Sequence, residues 1–297
     1  MKKLLLLILI LLLIPLIVVN EISKETKFEL IKNNYVRVKV NNTILKLPLE
    51  EYVVGVVAGE MPASFEIEAL KAQAVAARTY VLKKIDNNKE YDLDNTTNNQ
   101  VYLTNEELKT KWNNDYDKYI DKIRLAVKST EGEFLTYNDQ IITAFFFSSS
   151  NGKTENCEEV FQEKLPYLKS VESSWDKESP SYNGEIKISL KDFYNKLNIK
   201  YNDILNINIK ERTESGNIKT IIINEKEFKS TDIRNKLGLR STDFNITLDK
   251  DIITIKTKGF GHGVGMSQYG ANGMAKEGYK YDDILKHYYT NIKIKKI

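Results

Sequence analysis

Cysteine is almost absent from this chain of 297 residues: Cys157 stands alone, so no internal disulfide can form. Histidine is nearly as scarce, with His262 and His287 only. Three such ligands scattered along a chain do not make the spacing of a zinc site, and the sequence points to no metal or other cofactor. Charge of one sign is also missing. Forty-four Lys and Arg face 41 Asp and Glu, a net of +3, and no basic block or aromatic-interleaved stripe accumulates, which excludes a nucleic-acid footprint. No Gly-Lys-Ser/Thr follows a glycine loop, no GxGxxG occurs, and no GxSxG surrounds Ser148, Ser149 and Ser150. Phosphate-loop, dinucleotide and serine-elbow chemistry therefore lack their signatures.

Long apolar runs are confined to one place. Lys2 and Lys3 precede a run from Leu4 to Val19, which a helix would stretch to roughly 24 Å. The run ends in Val18-Val19-Asn20-Glu21 without the small residues of a cleavage site. Residues 1–20 are thus expected to be an uncleaved transmembrane anchor, with 21–34 a polar stalk and 35–297 an exported unit. A cleaved signal peptide is the other reading of the run, and it also exports the protein.

Beyond the stalk, Tyr35–Val40 alternates at period two and Ile44–Leu47 returns after Asn41-Asn42, which predicts a hairpin. Pro48 opens a helix with Leu49, Tyr52, Val53, Val56 and Val57 on one face, ended by Gly59. A second, alanine-rich helix is expected from about Ser64, its N-cap, to Lys84. Asn87–Asn99 reads as a loop and Asp115–Lys128 as a helix. Phe134–Tyr137 and Ile141–Phe147 read as paired strands, and Ser148–Thr154 as a loop. Thr220–Ile223 and Ile252–Lys256 are strand patterns, and short helices fall near Ile233–Leu237 and Asp282–Tyr288. Local hairpins mixed with helices give an α+β fold of helices and antiparallel strands around one unit.

Three places hold residues suited to chemistry. Glu60 sits in VVAGEMPASF, where Gly59, Met61 and Pro62 would leave a carboxyl partly desolvated and raise its pKa, as a general acid requires. A solvated turn glutamate fits the same residues. Arg78 borders the apolar stripe of the alanine-rich helix, placed either to pair with Glu60 or bind a substrate carboxylate, or to snorkel to the surface. The segment GFGHGVGMSQYGANGMA carries five glycines between 259 and 270. It presents His262 and Gln268 either to a ligand or to its own packing.

The stretches LEEYVVGVVAGEMPASFEIEALKAQAVAARTYVL (49–82) and GFGHGVGMSQYGANGMAKEGYKYDDILKHYY (259–289) resemble the signature of the stage II sporulation protein D family. DNTTNNQVY (94–102), SSSNGKTENCEEVF (148–161), LPYLKSVESSWD (165–176) and LGLRSTDF (237–244) agree, so the resemblance spans about 35–295. It implies a membrane-anchored lytic transglycosylase that cleaves the β-1,4 bond between N-acetylmuramic acid and N-acetylglucosamine. The substrate implied is peptide-stripped peptidoglycan during engulfment, in company with a peptidoglycan amidase and other engulfment proteins. It implies Glu60 as the catalytic acid/base and Arg78 as an active-site arginine. It also implies Tyr167 and Lys169 as cleft residues, whose i, i+2 spacing on a strand would share one face. The same resemblance leaves open a non-catalytic glycan-binding module that stimulates an amidase. Phe147, Asn151 and Phe65 depart from the family pattern, where His, Gly and Trp are common.

Overall fold

The computed structural model describes residues 35–86, 88–96 and 99–297. The expected anchor and stalk lie outside them. Among the described residues no helix is long and apolar enough to cross a membrane.

The chain begins with the expected hairpin. Strand β1 (Tyr35–Val40) pairs antiparallel with β2 (Thr43–Pro48) around Asn41, whose positive φ of 52° closes the turn. Helix α1 (Leu49–Glu60) follows directly, with Pro48 as its N-cap. The helix does not end at Gly59: Glu60 is its last residue and Met61 its C-cap. Gly59 is there for close approach. A Cβ at that position would lie 2.5 Å from the Val101 carbonyl oxygen, inside contact distance.

Helix α2 (Ile67–Lys84) starts two residues later than the Ser64 cap predicts. Pro62–Phe65 first closes a turn, with Phe65 N–H donating to the Pro62 carbonyl at 3.0 Å. Glu66 precedes the helix instead, and its N–H donates to Asn272 Oδ1 at 2.8 Å. Nearly the whole circumference of α2 is buried, not one stripe, because it is the central helix of the molecule. Its alanines 69, 72, 74, 76 and 77 let neighbours come close on every side.

The region expected as a plain loop contains β3 (Leu93–Asp94), which adds to β1 in parallel. Asp92 beside it forms an ion pair with Arg37 at 2.7 Å. Helix α3 (Asn105–Trp112) has no counterpart in the sequence reading, although Thr104 and Glu107 form a capping box before it. Helix α4 (Tyr116–Ser129), β4 (Glu133–Tyr137) and β5 (Gln140–Ile141) follow. The second half of the expected strand, β6 (Phe146–Phe147), leaves the hairpin. Helix α5 (Cys157–Val160) is one short turn.

Residues 183–258 build a second hydrophobic cluster: β7 (Asn183–Ser189), α6 (Leu190–Leu197), β8 (Ile207–Arg212), β9 (Ile218–Ile223), β10 (Lys226–Lys229), α7 (Ser230–Leu237), β11 (Asp243–Asp249) and β12 (Ile252–Lys258). They form two three-stranded antiparallel sheets, β10-β9-β8 and β11-β12-β7. The chain then returns to the first cluster through β13 (Met266–Ser267), which pairs with β6 in parallel. Helices α8 (Gln268–Lys276) and α9 (Tyr281–Tyr288) follow, and β14 (Lys293–Lys296) closes antiparallel on β4. Helix α2 touches α1, α4, α8, α9 and β4, so the fold is α+β around one buried helix.

The joint between the clusters is polar. Glu155 Oε1 accepts from Thr213 Oγ1 at 2.9 Å and Asn217 Nδ2 at 2.5 Å. Asn151 Nδ2 donates to the Ser215 carbonyl and Asp243 Oδ2, both at 3.1 Å.

Candidate active site

Glu60 ends α1 where the helix meets the returning segment 99–103 and the start of α8. Its Oε1 accepts from Val101 N–H at 2.7 Å, the approach that Gly59 permits. The side chain is half-buried, so one side remains open to solvent. Burial pushes its pKa up, opposed by the Val101 N–H, by Gln268 and by the positive charge of Lys111. Of the two readings the sequence left open, the desolvated carboxyl is the one the structure contains. Its position at the negative end of a helix disfavours the ionised form further.

Gln268 stands next to Glu60, close enough to act on its pKa, yet its Nε2 is buried and makes no hydrogen bond of normal geometry. Its nearest acceptor is the Glu60 carboxyl itself, whose ionised form it favours. It is held by a knot that the sequence reading missed. Asp176 is fully buried. It accepts from Ser150 N–H at 2.8 Å and from the hydroxyls of Ser150 and Ser267. Ser267 in turn caps α8, accepting from Gly270 N–H at 3.1 Å, and thereby sets Gln268 as the first residue of that helix. Ser150 is thus bound to a carboxylate as a structural hydroxyl. The local SSWD run, 173–176, was its signal.

His262 lies in an aromatic nest, its ring centroid 5.3 Å from Phe161, 5.6 Å from Phe147 and 5.8 Å from Phe145. Burial pushes its pKa down to about 4, and the charge of Arg234 acts in the same direction. Its Nδ1 accepts from Val264 N–H at 3.1 Å, which assigns a neutral ring with its proton on Nε2. Gly265 makes the close passage of this loop, since a Cβ there would sit 2.1 Å from the Phe145 carbonyl.

Tyr167 and Lys169 sit beside this nest. Tyr167 OH accepts from Thr143 N–H at 3.1 Å, and Lys169 Nζ pairs with Glu158 at 2.7 Å, next to α5. They do not share the face of a strand: residues 166–170 form a turn and an irregular segment. The nest connects toward Glu60 through Phe145, whose ring is 6.2 Å from Tyr80, and through Tyr80 OH, which donates to Asn99 Oδ1 at 3.4 Å. Asn99 is two residues from Val101. The structure brings Gln268 to Glu60, and His262 joins that pair only through these intervening contacts.

Arg78 does not. It is fully buried among α2, α4 and β4, and it pairs with Glu50 rather than Glu60. Nε donates to Glu50 Oε1 at 2.8 Å and Nη2 to Oε2 at 2.6 Å, a two-pronged contact. Nη1 donates to the Glu133 carbonyl at 3.0 Å. Glu50 is ten residues before Glu60 on α1, about 15 Å along a helix. The expected pairing of Arg78 with Glu60 is therefore replaced by one with Glu50, in which the buried guanidinium ties α1, α2 and β4 together. Sequence spacing put Arg78 at the stripe edge, and only the tertiary arrangement shows which carboxylate it meets.

The three departures from the family pattern are built into this architecture. Phe147 is part of the nest around His262, Phe65 packs edge-on against Tyr269 at 4.9 Å, and Asn151 bridges the two clusters. The Cys157 thiol is buried and pushed up to about 11, which keeps it protonated.

The site and fold define an α+β protein with a desolvated glutamate at a helix end, faced by the side-chain amide of Gln268. A sequence profile described as Stage II sporulation protein matches residues 38–137. The chain is 48% identical over 261 residues to Stage II sporulation protein D of Bacillus subtilis (strain 168), covering 86% of this chain and 76% of that protein. The namesake of Bacillus amyloliquefaciens matches with the same figures. A protein of Bacillus subtilis (strain 168) called Amidase enhancer is 32% identical over 290 residues, covering 79% of this chain and 39% of that one. The chain belongs to the stage II sporulation protein D family.

Proposed function

We propose that this protein is a lytic transglycosylase of peptidoglycan that acts in sporulation. It cleaves the β-1,4 bond between N-acetylmuramic acid and N-acetylglucosamine in peptide-stripped strands, with Glu60 as its acid/base. The observation that carries this reading is the Glu60 carboxyl itself: half-buried, raised in pKa and reachable from one side. A carboxyl that holds its proton more tightly than usual is suited to deliver it to the glycosidic oxygen. Once ionised, the same group accepts the proton of the sugar's C6 hydroxyl as that oxygen attacks C1, leaving a 1,6-anhydro end. Among the described residues, Glu60 is shifted by Val101, Gln268 and Lys111, and no second carboxylate is among these. That suits a reaction whose nucleophile belongs to the substrate, in contrast to the paired carboxylates of hydrolases. Gln268 Nε2, buried beside Glu60, offers a donor to a sugar oxygen or acetamido carbonyl.

The full reading includes an anchor at residues 4–19, which holds residues 35–297 on the outer side of the cell membrane as one catalytic unit. The partner is an amidase that strips peptides from the strand. A second reading, a glycan-binding module that stimulates such an amidase, is favoured by the relative named Amidase enhancer. The full chain in detergent, wild type and Glu60→Gln, separates the two. Glycan cleavage lost in the folded variant supports catalysis. Cleavage by neither form, with amidase stimulation by both, supports the second reading.

A further inference from the structure

Lys111 belongs to no motif, and nothing in its sequence neighbourhood marks it. It lies on α3, which runs beside the C-terminal end of α1. The residue as a whole is exposed, but its ammonium is partly buried, which lowers its pKa, and donates to the Ala58 carbonyl at 3.0 Å. Ala58 O is among the last four carbonyls of α1, which no later helical N–H satisfies. The contact is thus a cation on the negative end of a helix, two residues from the carboxyl that the same end disfavours.

The titratable groups that act electrostatically on Glu60 are Tyr52, from α1, and Lys111, from α3. Segment 99–103 and α8 contribute the uncharged Val101 N–H and Gln268. Tyr52 donates its hydroxyl to Gln100 Oε1 at 2.9 Å, and burial holds its pKa well above the ordinary value, so it stays neutral. Of the two, Lys111 alone brings charge.

We propose that Lys111, docked on the Ala58 carbonyl, is a positioning residue that makes the ionised form of Glu60 attainable. Burial and the helix end serve the acid half of an acid/base cycle, since both favour the proton. The base half needs a carboxylate in the same place. A cation on the same helix end supplies the balancing field without contacting the substrate. Lysine has the reach to bring its ammonium from α3 to the end of α1. The inference rests on the proposed role of Glu60 for its purpose, but its test does not require turnover.

The test is a titration of the Glu60 carboxyl by carbon NMR in the full chain in detergent, with glutamate labelled at Cδ and the resonance assigned by Glu60→Gln. Lys111→Met removes the charge and the hydrogen bond. Lys111→Gln removes the charge but keeps a donor for Ala58, which maintains the fold should the first variant lose it. Both are expected to raise the Glu60 midpoint, because the attraction of the ammonium for the carboxylate is lost. The difference shrinks at about 0.5 M salt, where screening acts within a few ångströms, and Lys111→Arg restores the wild-type midpoint. A folded Lys111→Gln protein with an unchanged Glu60 titration overturns the proposal. If the midpoint moves while no variant, wild type included, cleaves glycan, the coupling stands and the catalytic reading fails instead.

Discussion

Arg78→Met separates an active-site arginine from a structural one. In the structure Arg78 is fully buried and donates twice to Glu50, at 2.8 and 2.6 Å, and once to the Glu133 carbonyl at 3.0 Å. Methionine fills part of the volume but donates nothing. The change leaves the Glu50 carboxylate without its cation and the Glu133 carbonyl without that donor. Breaking a buried ion pair from one side costs about 3–5 kcal/mol. The Glu50 side chain is 30% exposed and water recovers part of its loss. We therefore expect about 3 kcal/mol of destabilisation. At roughly 2 °C per kcal/mol for a domain of this size, thermal unfolding moves down by at least about 6 °C. Arg78→Lys keeps the charge, loses the fork and falls between the two. Circular dichroism melts of the full chain in detergent measure the shift, and glycan cleavage per folded molecule measures the site. The predicted pattern is a large loss of stability with little change in activity per folded molecule. A folded Arg78→Met protein with the wild-type melting temperature and no activity would refute the reasoning.

Three further outcomes follow from the site. Gly59→Ala places a Cβ 2.5 Å from the Val101 carbonyl. The overlap costs about 1–3 kcal/mol, partly offset by the better helix propensity of alanine, and the displaced Val101 N–H lowers activity, read in a melt and a cleavage assay together. Glu60→Gln stabilises the fold at neutral pH. The raised pKa means the native state binds the proton more tightly than the unfolded chain, so the stability Glu60 contributes is present at low pH and lost as pH rises through the folded pKa. The advantage of the variant in denaturant titrations should therefore vanish as pH falls below the ordinary carboxylate range. His262 behaves oppositely: its pKa is depressed to about 4, so stability present above pH 6.5 is lost as pH falls toward 4, and Nε2–H neutral imidazole persists by nitrogen NMR at pH 6. A protonated His262 at pH 6 contradicts its placement in the aromatic nest.

The opening hairpin, α1, the centre of α2, α4, α7 and α9 were legible because each carries its own period and punctuation. What local pattern could not carry was set by contacts distant in sequence. The start of α2 is delayed by the Pro62–Phe65 turn and by a bond from Glu66 to Asn272, which lies 206 residues away. Phe146–Phe147 reads as the continuation of a strand, but its partner is Met266–Ser267. The two-residue β3 is strand because β1 offers an edge, not because Leu93-Asp94 prefers extension. At the site, Glu60 was visible from its glycine and proline neighbours. Gln268 and His262 were visible from the glycine run. The partner of Arg78, the Asp176 knot and the cation on the helix end were not, since each depends on which elements pack together. The i, i+2 argument for Tyr167 and Lys169 assumed a strand where the chain makes a turn.

Peptide-stripped glycan strands digested by the full chain in water enriched in oxygen-18 test the central claim most directly, with product ends read by mass spectrometry. Attack by the sugar's own hydroxyl predicts ends about 18 Da lighter than hydrolytic ones, free of the heavy isotope, and absent with Glu60→Gln. Product ends that carry oxygen-18, or an undiminished yield from folded Glu60→Gln, would contradict it.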